Sequence, residues 1–400
     1  MDQVKVGIVG CGMITARRHA PEYTDNPHAQ IVGFYDFDQQ RAGELAAGYG
    51  GQVYATPEEL FADPEIDAVS ICSPNYTHAS YSIQALEAGK HVLCEKPMAL
   101  SLEDTRSMMD AAKRAGKILM IGHNQRLLPT HRKARELLQS GMIGNILSVQ
   151  SNFRHSGPEN WSVNRSNSTW FFDKNKAHFG ALGDLGAHKL DIIRFLTGDE
   201  VDTICCDTVT RDKRYPNGEL IDLEDNASAI FRMRSGIFGT MNVSWTNYGE
   251  EDNSTILYGD KGVMKIFGDF ADDIVVELRD DTRVKYQVGA ISTNEKQLKS
   301  GIIDDFVDAI RTGREPTVTG VDGHNTLAVI VTANRSAQER RWLKVECSHT
   351  APWPGWVTTS FGERGLLPQA ADLFFSVYQL QASGLHLQGE RLPAGKILPI

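Results

Sequence analysis

The sequence predicts an α/β protein: an N-terminal Rossmann-type, doubly wound parallel sheet followed by an α+β domain with a large, mostly antiparallel open sheet. Three observations carry this reading. From Val4 to about Gly122, apolar strand-like runs alternate with amphipathic helical stretches. The first of these runs leads straight into a glycine turn. From Ile146 onward the pattern changes to short alternating strands, some separated by hairpin-like turns. Near-continuous apolar strands between helices belong to a parallel sheet covered on both faces, whereas alternating strands joined by tight turns belong to an antiparallel one. At 400 residues the chain exceeds one typical core. The expected division is 1–123 for the dinucleotide-binding domain, 124–345 for the α+β domain and 346–400 for a C-terminal extension.

In chain order, the first domain shows strands at Val4–Val9, Gln30–Tyr35, Ala68–Cys72, His91–Cys94 and Lys117–Ile121, with helices such as Asp38–Tyr49, Tyr76–Ala88 and Leu102–Ala115 between them. The first turn reads Gly10-Cys11-Gly12-Met13-Ile14-Thr15. Gly10 suits the tight turn, and Gly12 lets the backbone approach a pyrophosphate at a helix N-terminus. Thr15 stands where a third glycine is common. Asp36 ends the second strand roughly 20 residues beyond the turn, where an acid accepts hydrogen bonds from an adenosine ribose and repels a 2′-phosphate, favouring NAD over NADP. Next comes Ser73-Pro74-Asn75 with Thr77 and His78, residue types that helix capping explains as well as ligand binding does. The strand His91–Cys94 then stops in Glu95-Lys96-Pro97. Ligands in open parallel sheets sit outside the carboxyl ends of the strands, so Lys96 is placed to meet one.

The second domain opens with an irregular exit, His123 to Pro129, and a helix at His131–Gln139. Strands follow at Leu147–Phe153, Ala227–Met233, Ile237–Trp245, Thr255–Tyr258, Val263–Phe267 and Ile274–Leu278, with closing helices at Gly301–Thr312 and Asn325–Arg340. Within it, Gly180 to Leu196 reads as an amphipathic helix that puts Asp184 and His188 one turn apart on one face. A carboxylate one turn before an imidazole can fix its tautomer and raise its basicity, as a general base requires. A surface ion pair would have the same spacing. Gly183 and Gly186 weigh against that, because they weaken the helix unless something packs on its backbone. The long segment from His155 through Trp161 to Phe172 carries Trp, Asn, Arg and His suited to a polyhydroxylated ligand, or equally to an interface loop or ordinary core aromatics. In the extension, Gln369–Gln381 is the one expected helix.

Composition excludes several classes. The net charge of −10 and the absence of a basic run argue against nucleic acid. No apolar run reaches the length of a membrane span, and Val4–Val9 begins without the basic and apolar regions of a signal peptide. The six cysteines lack metal-ligand or disulfide-framework spacing, so no metal is expected and a reducing cytoplasm is the expected compartment.

Taken together, the turn Gly10 to Ile14, Asp36, Ser73-Pro74-Asn75 with His78, Glu95-Lys96-Pro97, Gly183-Asp184-Leu185-Gly186-Ala187-His188, and the segments Asp304–Ile310 and Ala333–Ala337 resemble the Gfo/Idh/MocA family of NAD(P)-dependent dehydrogenases in content and order. The resemblance runs from about Val4 to Val345, with Thr15 and the extension as departures. It implies hydride transfer between NAD(P) and a carbinol carbon of a sugar, sugar derivative or cyclitol such as inositol. It implies Lys96, Asp184 and His188 as the catalytic group. Gly10, Gly12, Met13, Ile14, Asp36, Ser73, Pro74, Asn75, His78, Glu95 and Lys96 would be the cofactor contacts, and Arg126, Arg154, His155 and Trp161 the substrate wall. A homodimer or homotetramer through the free sheet face is expected. Two other functions fit the same residues: an NAD-dependent glycoside hydrolase working by transient oxidation, and a catalytically silent NAD-bound regulator.

Overall fold

A computed structural model describes residues 3–163, 165–269, 271–289 and 299–347. The helix expected at Gln369–Gln381 and the rest of the extension beyond Cys347 lie outside the described residues. Six strands form the first sheet: β1 (Val4–Val9), β2 (Ala29–Tyr35), β3 (Gln52–Val53), β4 (Ala68–Ile71), β5 (His91–Cys94) and β6 (Leu119–Ile121). Their order is β3-β2-β1-β4-β5-β6 and every pairing is parallel. The chain reverses direction across the sheet between β1 and β4, so the crevice for a ligand opens there, at the carboxyl ends of the strands. β4 and β6 are buried at every residue, which is why they read as unbroken apolar runs. Helix starts are set by side-chain caps: Asp38 accepts from the Gln40 amide and Ser101 from the Asp104 amide.

The second sheet has nine strands: β7 (Ile146–Arg154), β8 (Val201–Val209), β9 (Asn226–Met233), β10 (Phe238–Ser244), β11 (Thr255–Gly259), β12 (Gly262–Ile266), β13 (Ile274–Leu278), β14 (Arg283–Tyr286) and β15 (Leu343–Lys344). All neighbours pair antiparallel except β7 and β10, which run parallel at the centre. Burial alternates along β9 and β10, one face apolar and the other mixed. On the mixed face Ser228 Oγ donates to Asn242 Oδ1 at 2.9 Å, and Asn242 Nδ2 donates to Asn152 Oδ1 at 3.2 Å.

The helix Ala181–Thr197 packs on β7 and β10, and Gly320–Glu339 packs on β8. The latter begins five residues before the expected Asn325. Thr319 and Asp322 form a reciprocal capping box that starts it, and this outweighs the helix-weakening glycines Gly320 and Gly323. Among the described residues no helix is long and apolar enough to cross a membrane.

Candidate active site

The glycine turn joins β1 to a helical segment that opens with a wide turn at Thr15–His19. Gly10 has φ +96°, and a Cβ there would meet the backbone of Cys72 and Ser73 at 2.5–2.6 Å, so only glycine fits. A Cβ on Gly12 would meet nothing within 4 Å, leaving open space beside the start of the helix for a phosphate to approach. Thr15 is fully buried, and its hydroxyl donates to the Gly10 carbonyl at 2.5 Å. The side chain that departs from the glycine pattern therefore braces the turn. Asp36 accepts from the Cys11 amide at 2.6 Å through one carboxylate oxygen and from the Asp38 amide at 2.8 Å through the other. Each oxygen keeps a second lone pair with which to accept a ribose hydroxyl. These residues fit a dinucleotide.

At the ends of β4 and β5 several expected contacts do structural duty. The buried Asn75 donates to the Ala177 carbonyl at 3.2 Å, and Ser73 Oγ lies 2.6 Å from Thr77 Oγ1. His78 is buried with its two ring nitrogens 2.7 and 2.8 Å from the carbonyls of Pro97 and Ser73, tying the two strand exits together. Glu95 is buried against His19 at 3.0 Å and Arg18 at 3.7 Å. Burial alone would raise its carboxyl; the hydrogen bond from His19 and the charges of His19, Arg18 and Lys96 instead hold it down at about 2. Glu95 also accepts from the Lys96 amide at 3.1 Å, fixing the backbone of the lysine that follows it.

Lys96 Nζ lies 2.7 Å from Asp184 Oδ1, and both side chains keep only about a seventh of their surface exposed. The other Asp184 oxygen accepts from the indole of the fully buried Trp245 at 3.2 Å. The expected tie from Asp184 to His188 is replaced by these two contacts. Across the seventeen residues of Ala181–Thr197, Asp184 and His188 alone are not buried, and both line one cleft. A Cβ on Gly183 would fall 2.3 Å from Phe179, which accounts for that glycine, whereas one on Gly186 would meet Leu182 at 3.3 Å and Met241 at 3.6 Å. His188 Nδ1 is buried without a partner. Burial first, then the charges of Lys96, His123, Arg18 and Lys189, push the imidazole well below its ordinary range, so it is neutral near pH 7.

The cleft, about 900 Å³ including its open mouth, joins the ends of β4 and β5 to this helix. Ile14, Ser73, Asn75, His78, Glu95 and Lys96 line it on the dinucleotide side, while Gly10, Gly12, Met13, Asp36 and Pro74 lie outside its walls. Of the expected substrate wall, His155 and Trp161 line it, joined by Trp170 and Phe171. Burial and the Lys96 and Lys213 charges push His155 down to about 4 against the pull of Asp184. Its loop is pinned by Lys213, which donates to the Ser156 carbonyl at 2.6 Å and pairs with Glu159. Arg126 and Arg154 do not line the cleft. Arg126 is fully buried, with a bidentate bond to Asp191 at 2.6 and 2.8 Å and Asp322 at 3.0 Å. Arg154 ends β7, and its Nε is buried without a partner. Arg18, His19, Asn124, Gln125 and Trp245 border or support the site without having been singled out in the sequence. The first four sit in turns with no periodicity, and Trp245 reads as core.

Comparison with known proteins places these features in a family. Residues 4–123 match the model described as an oxidoreductase family with an NAD-binding Rossmann fold, and residues 131–265 match the GFO/IDH/MocA C-terminal domain. The chain is 28% identical to myo-inositol 2-dehydrogenase of Thermotoga maritima, over 86% of this chain and 99% of the relative. It is 38% identical to glucose-6-phosphate 3-dehydrogenase of Bacillus subtilis over 193 residues, 48% of this chain and 53% of the relative. A solved structure of levoglucosan dehydrogenase with NADH and L-sorbose superposes with a TM-score of 0.77 at 25% identity, covering 87% of this chain and all of that one.

Proposed function

The chain belongs to the GFO/IDH/MocA family of NAD-binding oxidoreductases, and on that premise we propose that it oxidises a secondary alcohol of a sugar or cyclitol. NAD, when bound, supplies the hydride acceptor. His188, neutral at working pH, takes the hydroxyl proton as general base. Lys96 donates a hydrogen bond to the reacting oxygen and stabilises charge developing there. Asp184 orients Lys96 by its 2.7 Å ion pair, and Trp245 orients Asp184. The aromatic wall of Trp161, Trp170 and Phe171 offers flat surface to the C–H faces of a ring, with His155 as a polar neighbour. On this reading residues 1–123 carry the cofactor and 124–345 the substrate. The partly apolar free face of the nine-stranded sheet, which exposes 38% of Phe238 and part of Ile230 and Ile256, pairs copies of the chain.

The observation that supports the reading best is the meeting of Lys96, from the end of β5, with Asp184 in a cleft that His188 also lines. The test is an NADH-forming screen over monosaccharides, cyclitols and simple glycosides, followed by Lys96→Ala and His188→Ala. Each variant is expected to lose turnover while still binding NAD. Full activity in either overturns the assignment, and sugar release from a glycoside without net NADH would point instead to hydrolysis.

A further inference from the structure

The helix bearing Asp184 and His188 has no cap of its own. Its N-terminal boundary is Gly180, which has no side chain to accept from the first-turn amides. Glu224, from the segment between β8 and β9, takes them instead. Its Oε1 accepts from the Gly180 amide at 2.7 Å and the Leu182 amide at 3.1 Å, and its backbone carbonyl accepts from the Ala181 amide at 2.9 Å. Approach is so close that a Cβ on Gly180 would fall on the Glu224 carbonyl oxygen. The turn gripped in this way carries Asp184, whose amide donates to the Gly180 carbonyl at 3.0 Å.

The next residue grips Asp184 from its other side. The Asp225 carbonyl accepts from the Trp245 amide at 2.8 Å, and the Trp245 indole holds the Asp184 carboxylate. Asp225 is itself fixed, its buried carboxylate accepting from the amides of Arg211, Asp212 and Lys213 at 2.8–3.0 Å. We propose that Glu224 is a positioning residue for the reaction: by capping this helix from outside it sets where Asp184 stands against Lys96. The inference rests on the reading of Lys96 and Asp184 as reacting groups.

Two measurements on the full chain test it. Hydrogen exchange at the amides of Gly180 to Asp184 and at the Trp245 indole needs no substrate. NADH formation from the best substrate of the screen reports on turnover. In Glu224→Ala the amides are expected to exchange at least about ten-fold faster, and kcat is expected to fall by about 10- to 100-fold with KM for NAD unchanged. Glu224→Gln keeps the accepting oxygen and should restore both. Glu224→Asp, one methylene shorter, gives intermediate values and serves where the alanine variant does not fold. Wild-type exchange in the alanine variant overturns the proposal, as does wild-type kcat where Asp184→Ala is inactive. Equal losses in the alanine and glutamine variants also overturn it. If Asp184→Ala turns over normally, the parent assignment fails while the exchange result still judges the cap.

Discussion

Replacing Arg126 by Met separates a scaffold role from a substrate role. The guanidinium is wholly buried and engages Asp191 twice and Asp322 once. Asp191 lies one turn beyond His188, and Asp322 belongs to the box that starts the Gly320–Glu339 helix. Removing the cation leaves two buried carboxylates with less compensation; Arg194 approaches Asp191 only at 3.8 Å and is itself held by Glu200 at 2.6 Å. Breaking a buried ion pair from one side costs about 3–5 kcal/mol. At about 2.1 cal/mol/K of unfolding entropy per residue, that lowers Tm by roughly 5 °C in a folded unit of this size. Calorimetry or denaturant unfolding measures the loss, and KM for the sugar in the folded protein should stay within about two-fold of wild type. An unchanged Tm with KM raised ten-fold would show that Arg126 binds substrate.

Asp36→Asn retains an acceptor for the Cys11 amide but removes the charge. Two unit charges 4 Å apart interact by about 1 kcal/mol in water and about 4 kcal/mol at an effective dielectric of 20, so the kcat/KM ratio of NADP to NAD should rise roughly ten-fold or more. An unchanged ratio refutes the role of Asp36. Stability should also fall as pH drops below 6.5. Burial holds His131 at about 3 and His91 at about 4, and lowers His78, His123 and His188 as well. With folded pKa values below the unfolded 6.5, the unfolded chain takes up protons first. The contribution is intact above pH 6.5 and is lost below it, for the fully buried His131 by about 1.4 kcal/mol per pH unit. Glu224, raised to about 7 by burial, acts the other way as a single group. Tm measured from pH 7.5 to 5 should decline, and His131→Gln should flatten the slope; a level curve contradicts the burial argument.

Those parts of the molecule that were legible in the sequence are local ones. β1, β4 and β5 read as apolar runs because central parallel strands are buried on both faces, and β5 announces its end with a charge pair and a proline. The Asp184–His188 helix and its glycines were also visible. β3 and β15, two residues each, are too short for any period to show. β8 escaped notice because Cys205 and Cys206 are buried side by side and blur its alternation. The parallel pairing of β7 with β10 joins strands far apart in the chain, and hydrophobic pattern is blind to such a partnership. The same limit hid the partner of Asp184, since Lys96 is 88 residues away and Trp245 is 61. Glu224, amid Asp222, Leu223 and Asp225, reads as a surface acid until its acceptor oxygen is seen on the helix amides.

A helix buried everywhere except at Asp184 and His188 divides its residues by the kind of selection that can hold them. At fifteen positions a change disturbs the core and is felt by every copy that folds. His188 is different: its Nδ1 lies buried with no partner, a condition that costs about 1–3 kcal/mol, so the folded state gains when an apolar side chain of similar shape replaces it. On the proposed role of His188 as general base, it is the reaction that keeps the imidazole in place. In descendants that retain the nucleotide as a structural or signalling ligand but no longer turn over substrate, position 188 is where the sequence should drift first, while Gly10, pressed against Cys72, and Thr15, bonded to Gly10, stay as they are.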